Sequence, residues 1–377
     1  QHELKSVLYI LSKISENHYR SPNSFSKIEQ IIRIFQDDIK NNFSIFSIFN
    51  IFKGDKRILL LLFETKILIP DELIAQVITS RKFKERKYPH FFYTEFNQFF
   101  EGFLNRQIIS SSKDLKEQNI DLFNEKRKIG ENDEYICKLI REDLVEDFII
   151  FINKNNYPLN TKISQSIYET NAFLIKNRPS LIEYSAFFGS IQIFRYLYIN
   201  NVDVDSQLWY YTIHGNNPEL VHFLEENKIL PDDEKYDICY KIAIKCHHID
   251  IMNYIDNNFT QDQNLTLFSQ CLKCYNFKVL KGIIDIGIAN LIEFCNRNIK
   301  ENDFHNVLYD FIKYDYYSCI AFILKNIKID MNYQIVKQYE IFTFLFLIGF
   351  YFHCFNQILF IFIFIIFLFI FFLSNFF

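Results

Sequence analysis

The chain has 377 residues and nearly half of them are apolar, so it can bury a large core or a long array of repeats. Its 8 Gly and 7 Pro argue against an all-β protein with many tight turns and favour helices. The net charge of −4 creates no global field toward nucleic acid, so we expect no nucleic-acid partner.

The eight cysteines are scattered through apolar segments and lack the spacing of a disulfide framework. No secretory signal pattern is visible, so we expect reduced thiols and a cytoplasmic body. The one dense basic stretch, RKFKERK at 81–87, is interpreted as a solvated face rather than a phosphate-binding patch.

Residues 1–130 show apolar stripes at helical spacing, separated by polar breaks. The stripe over 26–40 begins at Ser26 with Glu29 three residues later, which predicts Ser26 as the N-cap of a capping box. Segment 56–69 is apolar nearly all round, as expected of a buried helix ended by Pro70. These patterns predict a helical N-terminal region.

A phenylalanine stripe lies within 90–104, at positions 92, 96, 99 and 103. Its spacing is typical of a core-facing helix rather than a cofactor site. The polar segment 110–134 follows, and we interpret it as the link to a second region over 131–335.

The second region repeats itself. Similar segments occupy 189–200, 216–227, 247–258, 275–286 and 315–326, and a looser copy lies at 141–156. Successive clear copies are 27, 31, 28 and 40 residues apart, a period typical of helical solenoids. A single helix pair of this kind cannot bury its apolar faces alone, whereas stacked pairs can.

Each copy predicts a short first helix and an amphipathic second helix. The first helix carries a small residue where a neighbouring backbone approaches (Ala186, Ala243 or Cys271) and ends at Gly189 or Asn216. Glycine and asparagine tolerate the left-handed conformation that commonly ends a helix. Asparagines recur at the end of the second helices. They are Asn200, Asn227, Asn258 and Asn326.

The best copy, SLIEYSAFFGSIQIFRYLYINNVDVD at 180–205, resembles an ankyrin repeat. The likeness lies in Ala186, Gly189, the helix over 191–197 and the turn at 202–205. No copy keeps the T-P-L-H start of the common repeat, so the hydrogen bonds made by that motif are missing.

More narrowly, residues 85–330 resemble the divergent N-terminal ankyrin-like domain of a large ankyrin-repeat family of flagellate protozoan parasites. The phrases SLIEYSAFFGSIQIF, LWYYTIHGNNPELVHFLEENK and AIKCHH carry this likeness. It implies an ankyrin-like solenoid; together with the helical N-terminal region and the apolar tail, the expected fold is an all-α ankyrin-like helical-repeat solenoid with a helical N-terminal extension and an apolar C-terminal helix. It also implies a non-enzymatic scaffold for an unknown protein partner, with no cofactor.

The tail over 341–377 contains no charged side chain, and 358–373 is an unbroken run of 16 apolar residues. One interpretation is a single transmembrane anchor near 354–373, which would make the chain a membrane-anchored adaptor with a cytoplasmic body. The other is a truncation, or a shifted reading frame through T-rich DNA, which gives the same composition. Both interpretations remain open.

Two other site hypotheses are weaker. Cys271 and Cys274, with Cys246 and its two following histidines, have zinc-compatible chemistry. However, Cys246 and Cys274 fall at the same position of adjacent repeats, and packed helices lie about 8–10 Å apart, so we expect structural thiols and no metal. No catalytic motif is present, and His214 with Glu219 is an isolated pair; an unrecognised enzyme is the remaining alternative.

The alignment places the expected partner contacts late in the first helices, facing outward, and in one turn. They are Phe187, Phe188, His214 and Lys245 in the helices, and Asp203 and Asp205 in the turn. Helical solenoids commonly bind proteins through such positions. The alternative is an ordinary surface, or phenylalanines packed against the N-terminal helices.

Overall fold

A computed structural model of the chain describes residues 2–17, 23–100, 102, 119–231, 236–259, 270–271, 273–276 and 279. Over these residues the protein is helical without strands, which confirms the predicted all-α class. None of the helices in these ranges is long and apolar enough to cross a membrane. The expected copy at 315–326 and the tail at 341–377 lie outside the described residues, as does most of the copy at 275–286.

Nine helices occur in the described part of residues 1–100, and they enclose one apolar core. They are α1 (His2–Asn17), α2 (Ser24–Ile34), α3 (Gln36–Asn42), α4 (Ile45–Phe52), α5 (Lys56–Glu64), α6 (Glu72–Ile78), α7 (Arg81–Glu85), α8 (Tyr88–Phe91) and α9 (Tyr93–Phe100). We call this set the N-terminal bundle.

The bundle confirms the apolar stripes but corrects two helix limits. α2 begins at Ser24 after Asn23, so Ser26 is not its N-cap; the Ser26 hydroxyl instead donates to the Asn23 carbonyl (3.2 Å). α5 is buried nearly all round, as predicted, but it ends at Glu64 rather than at Pro70. Its start is fixed by Asp55, whose carboxylate accepts hydrogen bonds from the first free amides of the helix.

The polar segment predicted as a link contains a helix, α10 (Ile120–Ile129), which ends at Gly130 with a φ of 74°. The buried Arg127 fastens α10 to the bundle, because its guanidinium donates to the Phe91 carbonyl and to both carboxylate oxygens of Glu95 (2.9–3.1 Å). The segment is therefore a packed element where it is described.

Four helix pairs and one extra helix follow. The pairs are α11 (Tyr135–Arg141) with α12 (Val145–Asn155), α14 (Leu181–Phe188) with α15 (Ile191–Ile199), α16 (Leu208–Gly215) with α17 (Pro218–Glu226), and α18 (Asp237–Cys246) with α19 (Ile249–Phe259). The extra helix is α13 (Ala172–Asn177). The first helices contact one another in the series α11, α14, α16 and α18.

Every first helix is followed by a residue in the left-handed conformation. These residues are Asp143, Gly189, Asn216 and His247, and Tyr275 takes the same conformation one copy later, with φ between 52° and 70°. The turn is thus conserved in geometry between copies although glycine occurs only once. This explains how the repeat persists while its most recognisable residue changes.

The recurring asparagines make the same hydrogen bond in each second helix. Their Nδ2 atoms donate to the carbonyl four residues earlier at 2.7–2.8 Å. The residues are Asn155, Asn200, Asn227 and Asn258. The carbonyls of Tyr196 and Phe223 also accept the backbone amides of Asn200 and Asn227, so the side-chain bond adds a second donor to a carbonyl in the last turn of the helix.

Hydrogen bonds between successive pairs start at the residue after each left-handed position. Ser190 donates to the Ile140 carbonyl and Asn217 to the Gly189 carbonyl (3.0 Å). In the next two copies, His248 donates to Ile213 (2.9 Å) and Asn276 to Ile244 (3.0 Å). Side chains of three different types therefore tie neighbouring copies together without a T-P-L-H motif.

Candidate interaction surface

Three of the expected partner contacts are buried. Phe187, Phe188 and His214 are only 1 %, 4 % and 7 % exposed, so their predicted outward position is wrong. α13 is the physical reason, because it lies over the ends of α14 and α16. The ring of Phe173 in α13 is 6.0 Å from Phe187 and 4.2 Å from His214, centroid to centroid.

α13 belongs to a segment inserted between the first and second helix pairs. Asn171 fixes its start by accepting hydrogen bonds from the amides of Phe173 and Leu174 (2.9 and 3.2 Å). Alignment of the repeats could not reveal this helix because none of the other copies that the structure describes contains an equivalent segment. Its Phe173 also packs edge-on against Tyr211, at 5.0 Å.

Asp203 and Asp205, by contrast, are exposed in the turn before α16. The turn is held on both sides: Val202 is buried, and the Asp203 amide donates to Oδ1 of Asn160 (2.9 Å). Asp205 accepts a hydrogen bond from the Gln207 amide (2.9 Å). The backbone of this turn is therefore fixed, while both residues remain accessible to solvent.

The next turn lies beside this one. Nε1 of Trp209, at the start of α16, donates to the Ile229 carbonyl (2.7 Å), and the indole packs edge-on against Tyr236. Val204 and Leu230 are 36 % and 43 % exposed. We define residues 203–205 with 229–230 as the turn edge, a strip in which two acidic residues lie beside apolar ones.

Lys245 is half-buried in the last turn of α18. The first helices run in the same direction, because Trp209 meets Tyr236 where they start and His248 bonds to Ile213 where they end. Lys245 therefore lies at the opposite end from the turn edge. The structure does not bring it together with Asp203 and Asp205.

The buried thiols and imidazoles form a neutral cluster. Sγ of Cys246 is 3.2 Å from Nδ1 of His214. Burial raises the pKa of Cys246 to about 12. Burial, with the charge of Lys245, lowers the pKa of His214 to about 3. At neutral pH the pair is thus thiol and neutral imidazole, not the thiolate and imidazolium of a nucleophilic cysteine.

The histidines after Cys246 each use a ring nitrogen to donate to a backbone carbonyl, that of Cys274 for His247 and that of Ile213 for His248. Within the described ranges, no group of three His, Cys, Asp or Glu side chains is placed to hold a metal ion.

A group of charged residues is buried between the bundle and the helix pairs, and the sequence did not predict it. Lys56, Arg127 and Glu169 are at most 4 % exposed. The one available signal was a lysine at the start of the apolar run KRILLLLF, where a buried helix was predicted. A buried charge in such a position requires specific partners.

Comparison of the chain with protein-family models, curated proteins and solved structures gives no match. The likeness to ankyrin repeats is therefore carried by the residues of the chain alone.

Proposed function

We propose that the chain is a non-enzymatic protein-interaction scaffold in which ankyrin-like helix pairs stack as a solenoid and the turn edge contacts the partner. The series of contacts between first helices supports the solenoid. The repeated hydrogen bonds from Ser190, Asn217, His248 and Asn276 support it too, since one kind of joint links successive copies.

The main observation in support of the proposal is that Asp203, Val204 and Asp205 are exposed on a fixed backbone. Buried neighbours and the bond that the Asp203 amide donates to Asn160 already order the turn, so binding of a partner there would cost little conformational entropy. Exposed aliphatic side chains beside carboxylates match the apolar centre and polar rim of ordinary interfaces. The buried Phe187 and His214 pack beneath α13, and Phe188 packs against Tyr184 and Phe187, so these three residues support the site only indirectly.

A random peptide library displayed on phage tests the proposal without a known partner. Peptides are selected on the wild-type chain, and their affinities are then measured for D203N/D205N. We expect binding at least about tenfold weaker for this variant, because two exposed carboxylates lose their charge. The matched control is E146Q/D147N, which removes two exposed charges from α12.

Equal affinity for D203N/D205N and the control would show that selected peptides bind elsewhere. An equal loss in both variants would point to general electrostatic attraction rather than to the turn edge.

The charge-free run at 358–373 favours a second proposal, a membrane-anchored adaptor with a cytoplasmic body. Flotation of the full chain with phosphatidylcholine vesicles tests it. We expect the wild-type chain to float, and F364K/L368K to remain at the bottom, because two charges in the bilayer interior are costly. Identical behaviour of the two chains would contradict an anchor in this run.

A further inference from the structure

The N-terminal bundle meets the segment before α13 through a buried lysine. Lys56, at the start of α5, is 1 % exposed. Its Nζ donates to the carbonyls of Ile167 (3.1 Å) and Glu169 (2.8 Å), more than a hundred residues along the chain. We call this contact the joint. The number of carbonyl acceptors, two, is the same as the number of N–H groups on a neutral amine. Loss of a proton from the Lys56 ammonium would therefore leave both hydrogen bonds intact.

Two aromatic rings lie beside the Lys56 amine. Its Nζ lies 5.6 Å from the ring centroid of Tyr88 and 5.2 Å from that of Phe91. Burial lowers the pKa of Lys56 to about 7; Glu169 and Asp55 act in the opposite direction.

Three further cationic or basic groups face the lysine. Arg86 and Lys87 also lower the pKa of Lys56 by charge repulsion. On α8, His90 has a pKa lowered to about 4, first by burial and then by the charges of Lys87 and Lys56. His90 is therefore neutral wherever Lys56 titrates.

Glu169 is the second buried group at the joint. One carboxylate oxygen accepts the amide of Asn171 (2.8 Å), while Oε2 has no hydrogen-bond partner. The residue is 4 % exposed and borders a cavity of about 20 Å³, lined also by Asn132 and Tyr184. An ionised carboxylate oxygen without a donor is costly in such a place.

Burial raises the pKa of Glu169 to about 7. The Asn171 amide, Lys56 and Arg141 oppose this shift, and Glu131 adds to it. From α11 and α14, Cys137 and Tyr184 also face the carboxylate, and burial raises the pKa of both, so they are neutral at physiological pH.

We propose that Lys56 and Glu169 make the joint a proton-operated latch, which opens most readily near neutral pH and is tightened by acid through Glu169 and by alkali through Lys56. Opening exposes both side chains to water, where each takes its ordinary charge. The closed joint favours the neutral form of each, because both are buried: two carbonyl acceptors match a neutral amine but not the three N–H groups of an ammonium, and Oε2 of Glu169 has no donor.

The direction follows from proton counts. Between pH 4.5 and about 7 the closed joint holds one proton more than the open joint, on Glu169, so acid favours closure. Between about 7 and 10.5 the closed joint holds one proton fewer, on Lys56, so alkali favours closure.

Hydrogen exchange of the full chain tests the latch at the Thr170 amide, which donates to the Gly130 carbonyl beside Glu169. Exchange is measured under conditions in which the joint closes faster than an exposed amide exchanges its hydrogen. The rates are corrected for the effect of pH on the exchange of an exposed amide. We expect protection of Thr170 to be lowest near pH 7 and to rise up to about tenfold per pH unit on either side. The amide of Leu224 in α17 is the internal reference and should not follow this profile.

Two variants separate the acid side of the pH profile from its alkaline side. E169Q should abolish the rise on the acid side alone, and K56M the rise on the alkaline side alone. K128M is the control, since Lys128 lies in the same region but pairs with Glu64 at the surface. A profile of Thr170 that is flat or highest near neutrality, or one that both variants leave unchanged, would overturn the latch.

If a variant fails to fold, the wild-type chain still gives an answer. The carboxyl carbon shift of Glu169, followed by NMR against pH, should show ionisation near pH 7. Ionisation near pH 4.5 would overturn the proposal that protonation of Glu169 tightens the latch.

Discussion

Gly215, the last residue of α16, packs against Ala186 of α14 so closely that a β-carbon at position 215 would overlap the Ala186 carbonyl oxygen. The obstacle is backbone, so relief requires the two helices to separate. We expect Gly215→Ala to lower the free energy of unfolding by about 2–3 kcal/mol, measured by urea denaturation. A variant as stable as the wild-type chain would contradict this close approach.

The control for this substitution is Gly189→Asn, in the turn after α14. Gly189 has a φ of 70°, and Asn216 takes a φ of 52° at the equivalent position, so asparagine is compatible with the turn. A β-carbon at 189 would make only ordinary contacts of 3.4 Å. We expect a change of less than about 1 kcal/mol.

Ser190 offers a test of the bonds between helix pairs. Its buried hydroxyl donates to the Ile140 carbonyl of the preceding pair. We expect Ser190→Ala to cost about 1–1.5 kcal/mol in unfolding free energy, because a buried bond between helix pairs is lost while the Ile140 carbonyl keeps the amide of Asp143. Asn200→Ala removes an exposed bond within α15, and should cost no more than about 0.5–1 kcal/mol. Equal costs would show that the bond between pairs has no special weight.

The sequence predicts the helices well where one pattern repeats. Apolar spacing marks α15, α17 and α19, and the recurring asparagines mark their ends, where each side chain bonds back to the carbonyl four residues earlier. The left-handed turns were harder to predict. Asp143, His247 and Tyr275 adopt a conformation that glycine favours, and they can do so because the surrounding packing fixes the turn.

The candidate site was predictable only in its exposed part. Asp203 and Asp205 lie in a turn whose limits follow from the repeat, whereas the burial of Phe187 and His214 depends on Phe173 in an inserted helix. Repeat alignment carries no information about a segment found in only one of the described copies. Lys56 and Glu169 were missed for a similar reason, since their contact joins regions 113 residues apart.

Alkylation of Cys246 tests whether this buried thiol has nucleophilic character. Its pKa is raised by burial from an ordinary value of 9.0 to about 12, so at pH 8 the folded chain contains about a thousandfold less thiolate at this position. We expect iodoacetamide to modify Cys246 at least about a thousandfold more slowly in the native chain than in urea. Site-resolved mass spectrometry measures both rates. Rapid native modification would indicate a thiolate paired with His214 and would revive the enzyme alternative.

His214 gives the helix pairs a defined pH dependence. Burial lowers its pKa from 6.5 to about 3, so the unfolded chain binds the extra proton first as the pH falls. The stability that the neutral imidazole contributes is complete above pH 6.5, and is lost at up to about 1.4 kcal/mol per pH unit between 6.5 and about 3.

The measurement is the urea midpoint of the wild-type chain and of His214→Phe across this interval. The variant keeps an aromatic ring beside Phe173 and Cys246 but cannot take up the proton, so its stability should fall less steeply with acid. Above pH 6.5 the two chains should show parallel pH profiles, because His214 is then neutral whether the chain is folded or unfolded. Parallel profiles below pH 6.5 as well would mean that His214 is protonated without loss of the fold, and that its contact with Cys246 is not kept in the neutral form.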